Sequence, residues 1–368
     1  MPQFLSGVKL NRRYYHEIVQ PILATHFPDL VYSAALMGFG SDVLGYDTPL
    51  STDHEWGPRL LLFLSEEDET TVAPRIFSVL SEQLPTSFLG YSTNFELGTE
   101  GEGGPRVRGE AIAGAVKHHI DLWTVDRFLR RELGVESAQT LHAADWLVFP
   151  QQKLLEVTAG AMYHDGLGQL IPQRRRFDYY PLAVWLYLIS AQWMRLSQEE
   201  AFMGRCGDVG DEIGSRIIAV RLVRDLMRLC FLFERRYAPY SKWLGTAFAR
   251  LACAKSLNPI LRNALAATTW QERQCHLSQA YEAVARMHND LRITAPLDPT
   301  VSLYFGRPYI VLYANRFAEA TRQAIDDEEI QAIFAKAGYI GGIDQFADST
   351  DLQGNATLCM RLKALFEN

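Results

Sequence analysis

Apolar residues recur with two different periods along this chain, and the change of period divides it. In the first third they come in short runs. Residues 31–37 and 58–64 are strongly apolar and strand-length, and 87–97 and 116–124 read as two further strands. Helical spacing flanks them. Tyr14, Tyr15, Ile18, Val19 and Ile22 follow Asn11, which is suited to cap a helix, and 70–84 reads as a helix ended by Pro85. From about Asp145 the helical period takes over, across 151–162, 181–196, 211–237, 240–256 and 269–288. Thr269 and Glu272 have the spacing of a reciprocal N-terminal cap. A proline-bracketed turn at 296–299 precedes helices near 310–325 and 327–337, with breaks at Gly338 and at Gly341-Gly342. The pattern predicts an α+β protein, with a small mixed sheet over 1–144 and a larger helical bundle over 145–368. No long Ser/Gly linker parts them, so the two halves are expected to pack around a ligand cleft.

Composition narrows the class. The chain has 368 residues, 48% of them hydrophobic and 21% charged, which suits a soluble globular protein of two domains. The most apolar run, 182–194, is broken by Ser190 and Gln192 and is shorter than the roughly 20 residues that a bilayer requires. No signal-peptide pattern follows Lys9, Arg12 and Arg13, so a cytoplasmic location is expected. The five cysteines are odd in number and widely spaced, which argues against a disulfide or zinc framework. A net charge of -7 disfavours a large nucleic-acid footprint, although a local basic groove is compatible with it.

The chemistry concentrates between the first two strand-like runs. Gly40-Ser41 leaves the run at 31–37, and Asp53 and Glu55 stand two residues apart at the head of the run at 58–64. In an extended segment they share one side, while His54 and Trp56 take the other. Paired carboxylates suit a hard divalent cation such as Mg²⁺, and a small turn lets a phosphate approach backbone N–H groups. Together these residues read as a metal-and-triphosphate site.

Gly40-Ser41 followed by Asp53 and Glu55 resembles the signature of the polymerase-β-type nucleotidyltransferases. The longer stretches Gly40-Ser41-Asp42-Val43-Leu44-Gly45-Tyr46-Asp47 and Ser51-Thr52-Asp53-His54-Glu55-Trp56-Gly57-Pro58-Arg59 are similar to an uncharacterised bacterial branch known as a domain of unknown function. So are Gly207-Asp208-Val209-Gly210-Asp211-Glu212, the stretch from Glu234 to Trp243, and Arg307-Pro308. The resemblance implies a third carboxylate on a later strand, for which Asp121 is the candidate with Asp126 nearby. It implies that Asp53, Glu55 and Asp121 hold Mg²⁺, in all two ions, and that Asp121 is also the general base. Gly40 and Ser41 would bind the phosphates, and Lys242 would reach them from the helical domain. Arg59 would touch phosphate or balance the acids, with a structural ion pair as the alternative.

Other features have plainer readings beside the sharp ones. The glycine-rich insert at 98–105 reads as a hairpin loop rather than a phosphate cradle, because no helix start follows it. His54 and His118 are expected to face away from the acids, and His119 to share the face of Asp121. Arg221, Arg224, Arg228 and Arg235 form a stripe, read as a solvated face paired with Asp225 and Glu234. Asp208, Asp211 and Glu212 read as a helix cap.

The resemblance thus implies an enzyme that moves a nucleoside monophosphate from an NTP, ATP above all, to a hydroxyl of a small molecule, releasing pyrophosphate. The alternatives are an enzyme that modifies tRNA ends and a non-catalytic NTP sensor. Relatives often place a partner's helix over the cleft, so a homodimer is one expected assembly.

Overall fold

The structure is a computed structural model that describes residues 4–98, 106–110 and 114–367. It is mixed α/β, with a small sheet in the N-terminal part and a large helical region after it. Two compact units divide the chain: 1–139 with 153–178, and 140–152 with 179–368.

In chain order the strands of the first unit are β1 (Ser33–Leu36), β2 (Arg59–Phe63), β3 (Ser87–Phe88), β4 (Tyr91–Ser92), β5 (Phe95–Leu97), β6 (Arg106–Arg108), β7 (His119–Trp123) and β8 (Ala161–Asp165). Four of them form one sheet in the order β7-β2-β1-β8. β1 runs antiparallel to β2 and to β8, whereas β7 lies parallel to β2, with Arg59 opposite His119 and Leu61 opposite Asp121. β2 is buried along its whole length, which accounts for its unbroken apolar run after Arg59. Leu60 and Leu62 pack on Leu10, Tyr14, Tyr15, Val19 and Leu23 of the N-terminal helix. That helix passes through a wider π turn at Tyr15–Val19. The wider turn helps to explain why the neighbours Tyr14 and Tyr15 are both fully buried.

Several local expectations change in the folded chain. Asn11 caps nothing. The helix starts at Gly7, and the Asn11 side-chain oxygen instead accepts the Arg59 backbone N–H at 2.7 Å. The helix expected over 70–84 is two, Glu66–Thr71 and Ala73–Gln83, because Pro74 has no N–H to continue the first and suits the opening turn of the second. The strand expected over 87–97 breaks into β3, β4 and β5, with a tight turn at Leu89-Gly90, both at positive φ.

The largest difference is at the boundary. Residues 151–162 are not one helix: Gln151–Thr158 is helical, and the chain then turns at Gly160 to enter β8. Gly160 has φ +75°, and a Cβ there would run into the Leu36 carbonyl, so only glycine fits this close approach to β1. β8 thereby supplies an edge of the sheet from residues that the period assigns to the bundle, and the changeover at 144/145 does not separate the two units. A buried cluster ties this segment to the first unit. Lys153 Nζ lies 2.9 Å from Glu132 and 2.7 Å from Glu156.

The second unit is built on the helices Leu182–Glu199, Glu212–Phe233, Trp270–Asp290 and Asn315–Gln323, with a small hairpin of β9 (Ser302–Leu303) and β10 (Ile310–Val311). Trp193 stacks on Phe317 at 4.8 Å and donates its indole N–H to His288 at 3.2 Å. The helix expected over 240–256 ends at Phe248, and another begins at Ala254. Glu234 decides this, since its two carboxylate oxygens accept the N–H groups of Ala252 and Cys253, both at 2.8 Å. At the helix from Trp270, Thr269 accepts the Glu272 N–H, and the Glu272 carboxylate accepts in return from the backbone N–H groups of Thr268 and Thr269. Among the described residues no helix is long and apolar enough to cross a membrane.

Two stability predictions follow from these buried acids. Lys153→Met leaves Glu156 buried without its cation and Glu132 with Arg131 alone, and should cost about 3–5 kcal/mol in chemical denaturation. Unchanged stability would show that the cluster is not the tie. In the second unit, burial pushes the Glu200 carboxyl up to about 7, against the opposing pull of the Leu312 and Ala314 N–H groups. The folded chain then keeps a proton that the unfolded chain releases above the ordinary glutamate range. Its stabilising effect is complete at low pH and is lost as pH rises toward 7. We expect the second unit to lose on the order of 2–3 kcal/mol between pH 5 and 7 from this group. Denaturation of wild type and Glu200→Gln at both pH values measures it, and an equal slope in the two would exclude Glu200 as the source.

Candidate functional site

The loop between β1 and β2 carries most of the expected site residues, and a buried ion pair shapes it. Arg59 opens β2 with its guanidinium turned onto Asp42, at 2.7 Å and 3.2 Å to the two carboxylate oxygens, and onto the Phe39 carbonyl at 2.9 Å. Both side chains are buried. Arg59 is thus engaged in the structural ion pair, not held ready for a phosphate. Gly40, at φ +139°, sits directly under the pair, where a Cβ would run into both the Asp42 carboxylate and the Arg59 guanidinium. Ser41 follows, half-buried, with its carbonyl accepting the Tyr46 N–H at 2.8 Å.

The stretch 53–56 is not a strand. A short helical turn at Pro49–Thr52 leads into a bend, Glu55 has φ +48° and Gly57 φ +141°, and β2 starts only at Arg59. The two-residue alternation expected for Asp53 and Glu55 therefore does not apply. Asp53 is 65% exposed and accepts from His54 Nδ1 at 2.9 Å, so His54 turns toward the acid rather than away from it. Slight desolvation opposes ionisation of Asp53, but the His54 hydrogen bond and adjacent backbone N–H groups outweigh it and lower its pKa. Trp56 is buried, donating its indole N–H to Asp47 at 3.0 Å, and Asp47 also accepts the Gly7 N–H at 2.7 Å.

Glu55 meets Asp121 around one imidazole. Asp121 and His119 lie two residues apart on β7 and share a face. His119 Nε2 lies 3.5 Å from the Glu55 carboxylate and 3.9 Å from that of Asp121. Burial, reinforced by Arg59, Arg106 and His118 nearby, pushes the His119 pKa down to about 2, so the ring is neutral and these are contacts of a neutral imidazole. His118, by contrast, bonds the Phe77 carbonyl at 3.2 Å. Asp126 accepts the Ser137 N–H at 2.6 Å and has a structural task.

The residue that sequence reasoning missed is Arg106. On β6, it donates its backbone N–H to Glu55 at 2.7 Å and its guanidinium to Asp121 at 2.8 Å. Arg108, two residues on, donates to the Thr52 carbonyl at 2.8 Å and lies over the rings of Trp56 and Tyr91. The arginine alternation at 106–108 was the available signal. It stood next to the glycine-rich insert, of which residues 99–105 lie outside the described residues. Beside Asp121 and Arg106 is a cavity of about 740 Å³, also lined by Phe77, Phe95, Lys117 and His118.

In the second unit the arginine stripe is paired, although not with the expected partners. Arg221 bonds Glu199, Arg224 and Arg228 approach Asp348, and Arg235 lies over Trp185. Asp225 is taken instead by Arg195 at 3.1 Å. Lys242 is exposed, its ammonium 5.2 Å from the centre of the Trp243 ring. Asp211 caps its helix through the Gly214 N–H at 2.8 Å, while Glu212 pairs with Arg273 and Asp208 accepts from Tyr309.

Residues 146–244 match a family described as a domain of unknown function, DUF4037. No match was found among curated proteins or among solved structures. The matched stretch begins after Asp121, so it includes none of Asp53, Glu55 and Asp121. It does contain 207–212 and 234–243, two of the blocks on which the resemblance to a domain of unknown function rests.

The 52–57 bend depends on Arg108. Arg108→Ala removes one hydrogen bond and two ring contacts, together about 1.5–2.5 kcal/mol. Amide exchange across 52–57 should accelerate roughly tenfold or more while β2 stays protected. Equal protection in the variant would mean that the Trp56–Asp47 and Glu55–Arg106 hydrogen bonds hold the bend without Arg108.

Proposed function

We propose that this chain is a nucleotidyltransferase that moves a nucleoside monophosphate from an NTP, ATP in the first instance, to a hydroxyl of a small molecule and releases pyrophosphate. The single observation that carries this reading is the meeting of Glu55, on the bend that leads into β2, and Asp121, on the parallel neighbour β7, around His119. Phosphoryl chemistry of this kind depends on charge neutralisation and in-line positioning more than on covalent catalysis. In this reading Asp121 takes the proton of the attacking hydroxyl, and the cavity beside it admits the acceptor. The turn at Gly40-Ser41 meets phosphate oxygens.

Magnesium is the cation that this reading calls for, and Asp53, Glu55 and Asp121 are the side chains that it would use. In the arrangement described above they do not fit it. Among the described residues no three acidic, histidine or cysteine side chains stand together so as to hold a metal ion. Asp53 is turned to His54, and Asp121 is held by Arg106.

Incubation with each labelled NTP and magnesium, against a metabolite extract and against tRNA, tests the assignment. A labelled small product with pyrophosphate release is expected. Label on tRNA alone would overturn the acceptor class, and nucleotide binding without any transfer would overturn the activity. Asp121→Asn should keep nucleotide binding while turnover drops by on the order of 10²-fold or more.

A further inference from the structure

Arg228 is a charge in the second unit that the fold leaves without a close partner. It stands one turn after Arg224 on the helix Glu212–Phe233, and its side chain is only 15% exposed. Its Nη1 is buried and meets no acceptor among the described residues, and its contact with Asp348 is long, at 3.8 Å. Arg224 gives Nη1 to the Asp348 carboxylate, at 3.0 Å and 2.9 Å, while its Nε is buried without a partner. Burial lowers the Arg228 pKa in spite of the acids around it, Asp344, Asp225 and Asp348. A guanidinium stays charged in a protein even so, and a buried donor of this kind calls for an acceptor. Both arginines line a cavity of about 70 Å³, together with Tyr240, Ser241, Asp344 and Asp348. We propose that this cavity is a binding site for a phosphate group, held by Arg228 and Arg224 and by the opening turn of the helix Ser241–Phe248. Its residues all belong to the second unit, and the proposal is independent of the nucleotidyltransferase reading.

Size, donor placement and the state of the neighbouring acids support a phosphate group. Roughly 10–15 Å³ suffices for one water, so this cavity admits a group of several heavy atoms but not a whole nucleotide. The donors approach from two elements. The arginines lie on one helix, and Ser241 opens another, whose N-cap Tyr240 offers the first turn no side-chain acceptor. Tetrahedral oxygens can meet both sets at once, whereas a planar carboxylate bonded to one guanidinium has no oxygen left for the second element. The forked donors of arginine suit phosphate, and the start of a helix favours negative charge. The acids at the cavity are already engaged. Asp348 is 68% exposed and is held by Arg224, and Asp344 accepts the Gln151 N–H at 2.9 Å. Burial pushes the Asp344 carboxyl up to about 6, which weakens its repulsion of a bound anion. The donors Arg224, Arg228 and Ser241 all lie in the stretch 146–244 that matches the family.

The test is titration calorimetry of the full chain with inorganic phosphate, with glycerol phosphate and with acetate, as wild type, Arg228→Gln, Arg228→Lys and Ser241→Ala. Wild type should bind a phosphate compound and not acetate. Arg228→Gln should weaken that binding about tenfold or more, the scale of one lost charge-assisted hydrogen bond, and Ser241→Ala should weaken it about threefold. Arg228→Lys keeps the charge but loses the fork, so its smaller loss preserves the test if the glutamine variant does not fold. Tighter binding of glycerol phosphate would assign the cavity to the phosphate end of a larger molecule, and tighter binding of inorganic phosphate to the free ion; each supports the site. Absence of phosphate binding by wild type, acetate binding of equal strength, or equal phosphate affinity in wild type and the Arg228 variants would overturn it. The transfer of label from an NTP is read separately, so failure here leaves that reading as it stands.

Discussion

The buried pair between Arg59 and Asp42 is the constraint on which the first unit's site depends. A guanidinium and a carboxylate taken out of water are tolerated only with near-complete hydrogen bonding, and here they have it. Asp42 takes two guanidinium donors and the Val43 N–H, and the Phe39 carbonyl takes one more from Arg59. The backbone of Arg59 is fixed in turn by Asn11, so the N-terminal helix, the loop after β1 and the start of β2 meet at one residue. Gly40 is required because nothing larger fits beneath this pair. The Gly40-Ser41 turn, whatever it binds, owes its shape to a contact with no ligand in it.

A second layer of control comes from the hairpin of β5 and β6. Arg108 holds the bend that carries Asp53 and Glu55, while Arg106 bridges Glu55 to Asp121. The two arginines point the same way because they are two residues apart on one strand. One edge of the site is therefore set by a small two-stranded element with few partners of its own.

In the second unit most members of the arginine stripe meet acids from other elements. Arg195 satisfies Asp225, Glu199 takes Arg221, and Asp348 takes Arg224, with Arg228 close by. Glu234 performs a backbone task, closing one helix start. This unit's architecture is thus set by packing around Trp193 and Phe317 together with a set of satisfied polar ties. Lys242, beside Trp243, is set apart by its exposure.

Periodicity alone determined that a sheet precedes a helical bundle, that 58–64 is a buried strand, and that His119 and Asp121 share a face. These properties depend on neighbours in the chain, where spacing and burial are directly linked. It also indicated that Asp211 caps a helix, since capping is a local exchange of hydrogen bonds. What it could not determine depended on distant partners. The 53–56 bend is held by Arg108, which lies beyond the glycine-rich insert. The identity of the β8 edge depends on Gly160 fitting against the Leu36 carbonyl. The partners of Arg59, Arg221 and Arg224 come from other elements, and their choice is decided by burial and by which carboxylate the fold brings near. Arg106 was legible as a residue but not as a role. Only the tertiary fold sets its guanidinium against Asp121 and its backbone against Glu55, because the attraction between charges acts through space and not along the chain.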